Sequence, residues 1–147
     1  MQTAPTFGNH TTIRRHVRLS PTVYAPRIAR RLVVDLGSAV RTPQRLIDDA
    51  ALVTGEIVTS AIRYTRSEID VMIEVSADHV RVRIRDQRTT KRSPGSDTGT
   101  GMVRRTALIE RLATSWGRHR SASGWETWAL LHADQPGQTA GPGSVAS

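Results

Sequence analysis

Several places along the chain carry side chains whose type and spacing could do chemistry. The first is a helix-spaced set, Glu56, Ser60 and Arg63. Offsets of four and three put them on one side of a helix, beside its apolar positions. A carboxylate at the edge of a core could serve as a base. The simpler account is a boundary Glu making an ordinary i,i+4 contact. The second place is Asp86. Val80, Val82 and Ile84 alternate with Arg81, Arg83 and Arg85, and the apolar phase continues onto Asp86. Either the strand stops at Arg85 and Asp86 opens a turn, which the pattern favours slightly, or a carboxylate is buried at the end of an apolar face. That burial is costly unless the group meets a donor. The third place is Gly99-Thr100-Gly101-Met102, ahead of a helical stretch. Glycines at a helix entrance let backbone amides approach an anion, and the helix dipole favours phosphate there. A lone Gly-x-Gly is also an ordinary loop end, and this one does not match the six-position dinucleotide fingerprint.

Composition excludes other chemistries. The 147 residues contain no Cys, so there is no disulfide framework, no thiolate zinc site and no thiol nucleophile. The five His are scattered without metal-ligand spacing. No apolar run is long enough to span a bilayer, so no membrane partner is expected. Residues 1–10 lack the basic start and apolar stretch of a secretion signal, which makes the cytoplasm the expected location. The formal charge is +8, and Lys91 is the single Lys among 21 basic residues. Charge is blocky: +6 over residues 1–41, −4 over 42–80, +8 over 81–120 and −2 over 121–147. A basic excess invites a nucleic-acid reading. No helix-turn-helix pattern accompanies it, however, and no aromatic residue interleaves with the Arg stripe. No specific nucleic-acid partner is expected.

These residues need elements to hold them. The length fits one domain. Residues 1–10 read as a flexible tail, residues 11–133 as the folded domain, and the Pro/Gly/Ser-rich residues 134–147 as a disordered tail. A strand is predicted over 12–19. A helix is predicted over 23–40, with Pro26 in its first turn and Ile28, Leu32 and Leu36 as its apolar positions. A second helix is predicted from Thr42-Pro43 to about Tyr64, with Thr42 as cap. Its stripe is Leu46, Ala50, Val53, Ile57 and Ala61. Period-two alternation then predicts a hairpin of strands from Ile69 to Val75 and from Val80 onward. Residues 89–98 read as a mobile loop, 102–115 as a third helix, and 116–120 with 125–132 as a closing hairpin. The order β-α-α-β-β-α-β-β predicts an α+β, two-layer sandwich of helices on a mostly antiparallel sheet.

In this order the features resemble a known family. Glu56-Ile57-Val58-Thr59-Ser60-Ala61, a hairpin ending in Arg85-Asp86, the Gly-x-Gly loop, a helix, Trp116-Gly117 and then Gly124-x-x-x-Trp128 look like the histidine-kinase-type ATPase fold, the Bergerat-type ATP-binding fold. The branch is that of the small anti-sigma-factor serine kinases and their single-domain ATP-binding relatives. The resemblance covers about residues 12–132. It implies an ATP-binding regulator that controls transcription through protein binding, with a sigma factor or an anti-sigma antagonist as partner and a homodimer as a common family assembly. It implies Glu56 as base, Ser60 at the position of a magnesium ligand, Arg63 near the nucleotide, and Asp86 as acceptor for the adenine amino group. Gly99, Thr100, Gly101 and Met102 fall in the phosphate-cradling lid, and the cofactors implied are ATP and Mg2+.

The sequence also departs from the family. Ser60 stands for Asn, shortening a carbonyl ligand to a hydroxyl. Tyr64 stands for His, and Arg88, just beyond Asp86, stands for a small residue. With Gly124 and Trp128 aligned without a gap, Glu126 stands where a Thr reaches toward adenine. Residues 101–112 are about one helical turn longer than usual. Together these imply weakened or lost phosphoryl transfer. The open alternative to a serine/threonine kinase is a non-catalytic member that only binds proteins.

Overall fold

The computed structural model describes residues 11–87, 100–122, 124–133 and 145–146; for 100–105 and 145–146 the description is of the backbone. The elements are β1 (Ile13–Leu19), α1 (Ala25–Ala39), α2 (Gln44–Ile62), β2 (Ile69–Val75), β3 (His79–Asp86), α3 (Thr100–Leu112), β4 (Ser115–Ser121), β5 (Gly124–His132) and the two-residue β6 (Val145–Ala146). The strands form one sheet in the order β1-β2-β3-β5-β4-β6. Every pairing is antiparallel except that of β4 with β6. Helices α1 and α2 pack on each other, and α2 lies on β3 and β5. This is the α+β sandwich that the alternation predicts. The sequence reading contained no strand at Val145–Ala146.

Alternation is what splits the sheet into two faces. Ile69, Val71, Ile73 and Val75 of β2 and Val80, Val82 and Ile84 of β3 are fully or almost fully buried. They join Ala129 and Leu131 of β5, Ala29, Val33 and Leu36 of α1, and Val53, Ile57, Val58 and Ala61 of α2 in one apolar cluster. Each such Val or Ile stabilises the fold by roughly 1.5–3 kcal/mol relative to exposure. The other face carries the charged residues and is not covered by the helices.

The helices differ from their sequence expectation in instructive ways. The buried side of α1 is Ala25, Ala29, Val33 and Leu36; Leu36 was expected there, but Ile28 is half exposed and Leu32 only partly buried. Small residues let α1 and α2 approach closely: a Cβ on Gly37 would sit 2.7 Å from Ile47 Cγ1. At the start of α2 the N-cap is Pro43, without a side-chain cap bond. Thr42 does not cap. Its hydroxyl instead donates to the Ser76 carbonyl at 2.7 Å, a buried bond that ties α2 to the β2–β3 turn. A tertiary acceptor has won over the local amides. The third helix spans Thr100–Leu112, shifted toward the N-terminus from the expected 102–115.

Candidate functional site

At Asp86 the choice lay between a turn and a buried strand end. β3 does not stop at Arg85; it runs through Asp86, which pairs with Trp125 of β5 and Ile69 of β2. The carboxylate side chain takes the inner phase of Val80, Val82 and Ile84 and is 3% exposed. The strand end is held by Gly124, whose φ is +147°. A Cβ there would lie 1.7 Å from the Asp86 backbone oxygen. Only glycine lets β5 begin this close to the end of β3.

Helix α2 supplies the second group. Glu56 is half-buried and Ser60 is buried, one turn apart on α2. Arg63 lies at the C-cap and is exposed, so Ser60 is the most buried of the three and Arg63 the least. Asp86 lies on the face of the sheet against which α2 packs. Thr100, Gly101 and Met102 form the first turn of α3. Gly99 and Arg88 lie outside the described residues.

Glu126 is the correction. It does not share a face with Asp86. In β5 the inner residues are Trp125, Thr127, Ala129 and Leu131, opposite Asp86, Ile84, Val82 and Val80. Glu126 points to the outer face, where Arg83 Nη2 reaches it at 3.1 Å and Arg85 Nη2 at 3.1 Å, with His119 Nε2 at 3.4 Å. Burial pushes its carboxyl up, but hydrogen bonds and charge from Arg83 and Arg85 more than reverse this and hold it below the usual carboxylate range. A one-residue step exchanges faces in a strand. The inner hydroxyl is therefore that of Thr127, buried and a diagonal neighbour of Asp86 on the same face. Sequence reasoning passed over Thr127. Extending the alternation back from Leu131 and Ala129 would have found it.

The Arg stripe is also better defined. Arg81, Arg83 and Arg85 face outward, as expected of a wet sheet face, but acids stand among them. Glu74 binds Arg14 at 2.8 Å, and that hydrogen bond, with lesser help from His79, holds the Glu74 carboxyl below its ordinary value. Asp70 takes Arg18 at 3.1 Å. At the β2–β3 turn, Ser76 Oγ lies 2.7 Å from His79 Nδ1, and His79 Nε2 lies 3.3 Å from Glu74 Oε1. This has the residue types of a hydrolytic triad. Ser76 is 1% exposed, however, and its oxygen also donates to Asp78 and accepts the His79 amide. The group locks a turn and has no route for a substrate.

Among the described residues, no cluster of three or more His, Asp or Glu could hold a metal. On the candidate-site side of α2, Glu56 offers one carboxylate and Ser60 one hydroxyl. Such a pair would hold magnesium only together with waters and nucleotide phosphates, which supply most of the ion's six ligands in sites of that kind. No family model matches the chain, and no curated protein matches it. Among the described residues, no helix is long and apolar enough to cross a membrane.

Proposed function

We propose that the chain is an ATP-binding regulatory protein of the kind its motifs resemble, one that controls transcription in the cytoplasm by binding a protein such as a sigma factor or its antagonist. The observation that supports this most is the buried carboxylate of Asp86 at the helix-side end of β3. Such a group suits an exocyclic amino group, the feature by which adenine differs from guanine at that edge. Thr127 on the same face adds a hydroxyl where the ungapped alignment left only Glu126. That removes one departure from the family pattern. Ser60, a hydroxyl where the family pattern has a carbonyl ligand, favours a second reading for turnover: binding without phosphoryl transfer.

Calorimetry with ATP and GTP tests this. ATP should bind, and GTP should bind at least tenfold more weakly. Asp86→Asn should weaken ATP by tenfold or more, about 1.4 kcal/mol, and erase the preference. Thr127→Val should cause a smaller loss. Absence of ATP binding at about 1 mM overturns the nucleotide reading and leaves a protein-binding module.

A further inference from the structure

The open side of α1 and the free edge of the sheet meet at one place. β1 is an edge strand, paired along all seven residues with β2 and with no strand on its other side among the described residues. It contains no Pro, and its ladder with β2 has no bulge, two of the usual devices that close an edge. Beside it runs a groove of about 360 Å³, lined by Val17 and Leu19 of β1 and by Ile28 and Leu32 of α1. Arg27 and Arg31 stand at its rim. Ile28 is 50% exposed, and the neighbouring Tyr24 and Val23 are more exposed still. Residues that looked like core positions in the sequence thus form an apolar floor open to solvent.

The charges around this floor decide what can cover it. On the groove side stand Arg15, Arg27 and Arg31, against one aspartate, Asp35; Arg14 and Arg18 lie on the other face of β1. Arg31 contacts Asp35 at 3.3 Å. Arg14 and Arg18 contact Glu74 and Asp70 across the β1–β2 pair, yet each stays about two-thirds exposed. Arg15 and Arg27 have no acidic partner among the described residues. A second copy fits poorly. Side by side, two β1 strands bring six arginines together and no acid, and antiparallel registers centred on Arg15 or His16 set Arg15 on Arg15 or Arg14 on Arg18. Like charges directly opposite are destabilising.

We propose that β1 accepts an added strand from a partner protein: an extended segment that alternates apolar and acidic side chains. Its backbone completes the free hydrogen-bonding edge. Its apolar residues, two apart, fall on the groove side against Val17, Leu19, Ile28 and Leu32. Its acidic residues fall on the outer side, level with Arg14, His16 and Arg18. This docking surface does not depend on the nucleotide reading, and it is tested without nucleotide.

The probe is a fluorescently labelled peptide, Val-Asp-Val-Glu-Val-Asp-Val, read by anisotropy with the full chain at low salt. It should bind at least tenfold more tightly than the same peptide with Lys for each acid. On binding, backbone amides of β1 should become protected from hydrogen exchange. Ile28→Glu, on an exposed helix position, should weaken binding tenfold or more, and Arg14→Gln/Arg18→Gln, level with the peptide's acids, should narrow the preference over the Lys peptide at least threefold, with circular dichroism unchanged. Equal binding of the Lys peptide overturns the proposal, as does no binding at about 1 mM peptide. So does binding without β1 protection, which would mean the groove is filled without strand addition. A dimer of the chain alone that Ile28→Glu dissociates also overturns it, by making the occupant a second copy.

Discussion

At the scale of single residues, partners decide what a polar side chain does. Glu126 is clamped between Arg83 and Arg85 and titrates below the usual value. In the unfolded chain it returns to about 4.3. The folded state therefore gains stability from this group above that value, and loses it as pH falls through the lower folded value. Glu74 acts in the same direction. The melting temperature should fall as pH drops below about 4.3. Glu126→Gln should be less stable at pH 7 by roughly 1.5–3 kcal/mol and should show a shallower acid fall. Parallel pH profiles for the two proteins would show that Glu126 is not the group responsible. Thr42 offers a second case. Thr42→Val keeps the shape but loses the bond to the Ser76 carbonyl, and should cost about 1 kcal/mol by urea denaturation. Thr42→Ser should stay close to the parent. If the residue were a helix cap, Thr42→Asp would be equally tolerated; here it should destabilise, because it places a charge in a buried position.

At the scale of elements, alternation was the most legible signal. It located both hairpins and put Asp86 on the inner face, even though a turn at Asp86 looked slightly better. The same signal was set aside in β5, where a gapless motif alignment assigned Glu126 to the wrong face. Helical spacing was legible for α2, whose five expected stripe residues are all buried. It was less so for α1, where two apolar sides exist and only packing chooses between them. The sequence pattern favours large residues, but Ala25 and Ala29 are buried because α1 packs closely. The order of strands was not legible at all. Nothing local says that β1 lies at an edge or that β5 sits between β3 and β4. The β3–β5 junction itself is open to test. Gly124→Ala introduces a Cβ 1.7 Å from the Asp86 carbonyl oxygen at a φ of +147°. We expect a loss of more than about 3 kcal/mol, or local opening instead, seen as faster amide exchange at Arg85 to Gln87 before the rest of the sheet. A variant as stable as the parent, with unchanged exchange, would contradict this approach of the strands.

At the scale of the whole molecule, the question is what the charge of +8 is for. Read along the chain, the Arg-rich segments resemble a phosphate-binding surface. Folded, the outer sheet face interleaves cation and anion: Arg14 with Glu74, Arg18 with Asp70, and Arg83 and Arg85 with Glu126. Arg83 and Arg85 both turn onto the buried Glu126 carboxylate, and drawing them away to phosphates would leave it without its cations. A partly buried carboxylate left behind would cost free energy. Duplex DNA gives the contrast. Each phosphate neutralised contributes about −0.9 to the slope of log affinity against log salt. Five phosphates neutralised by Arg14, Arg18, Arg81, Arg83 and Arg85 would give a slope of about −4.5. The paired face should give a slope shallower than about −2 for a random duplex. The acidic peptide on β1 should be salt-sensitive but should not compete with the duplex. A steep slope, lost on Arg83→Gln/Arg85→Gln, would show that the outer face gives up Glu126 to bind phosphate, and would return the basic charge to nucleic acid.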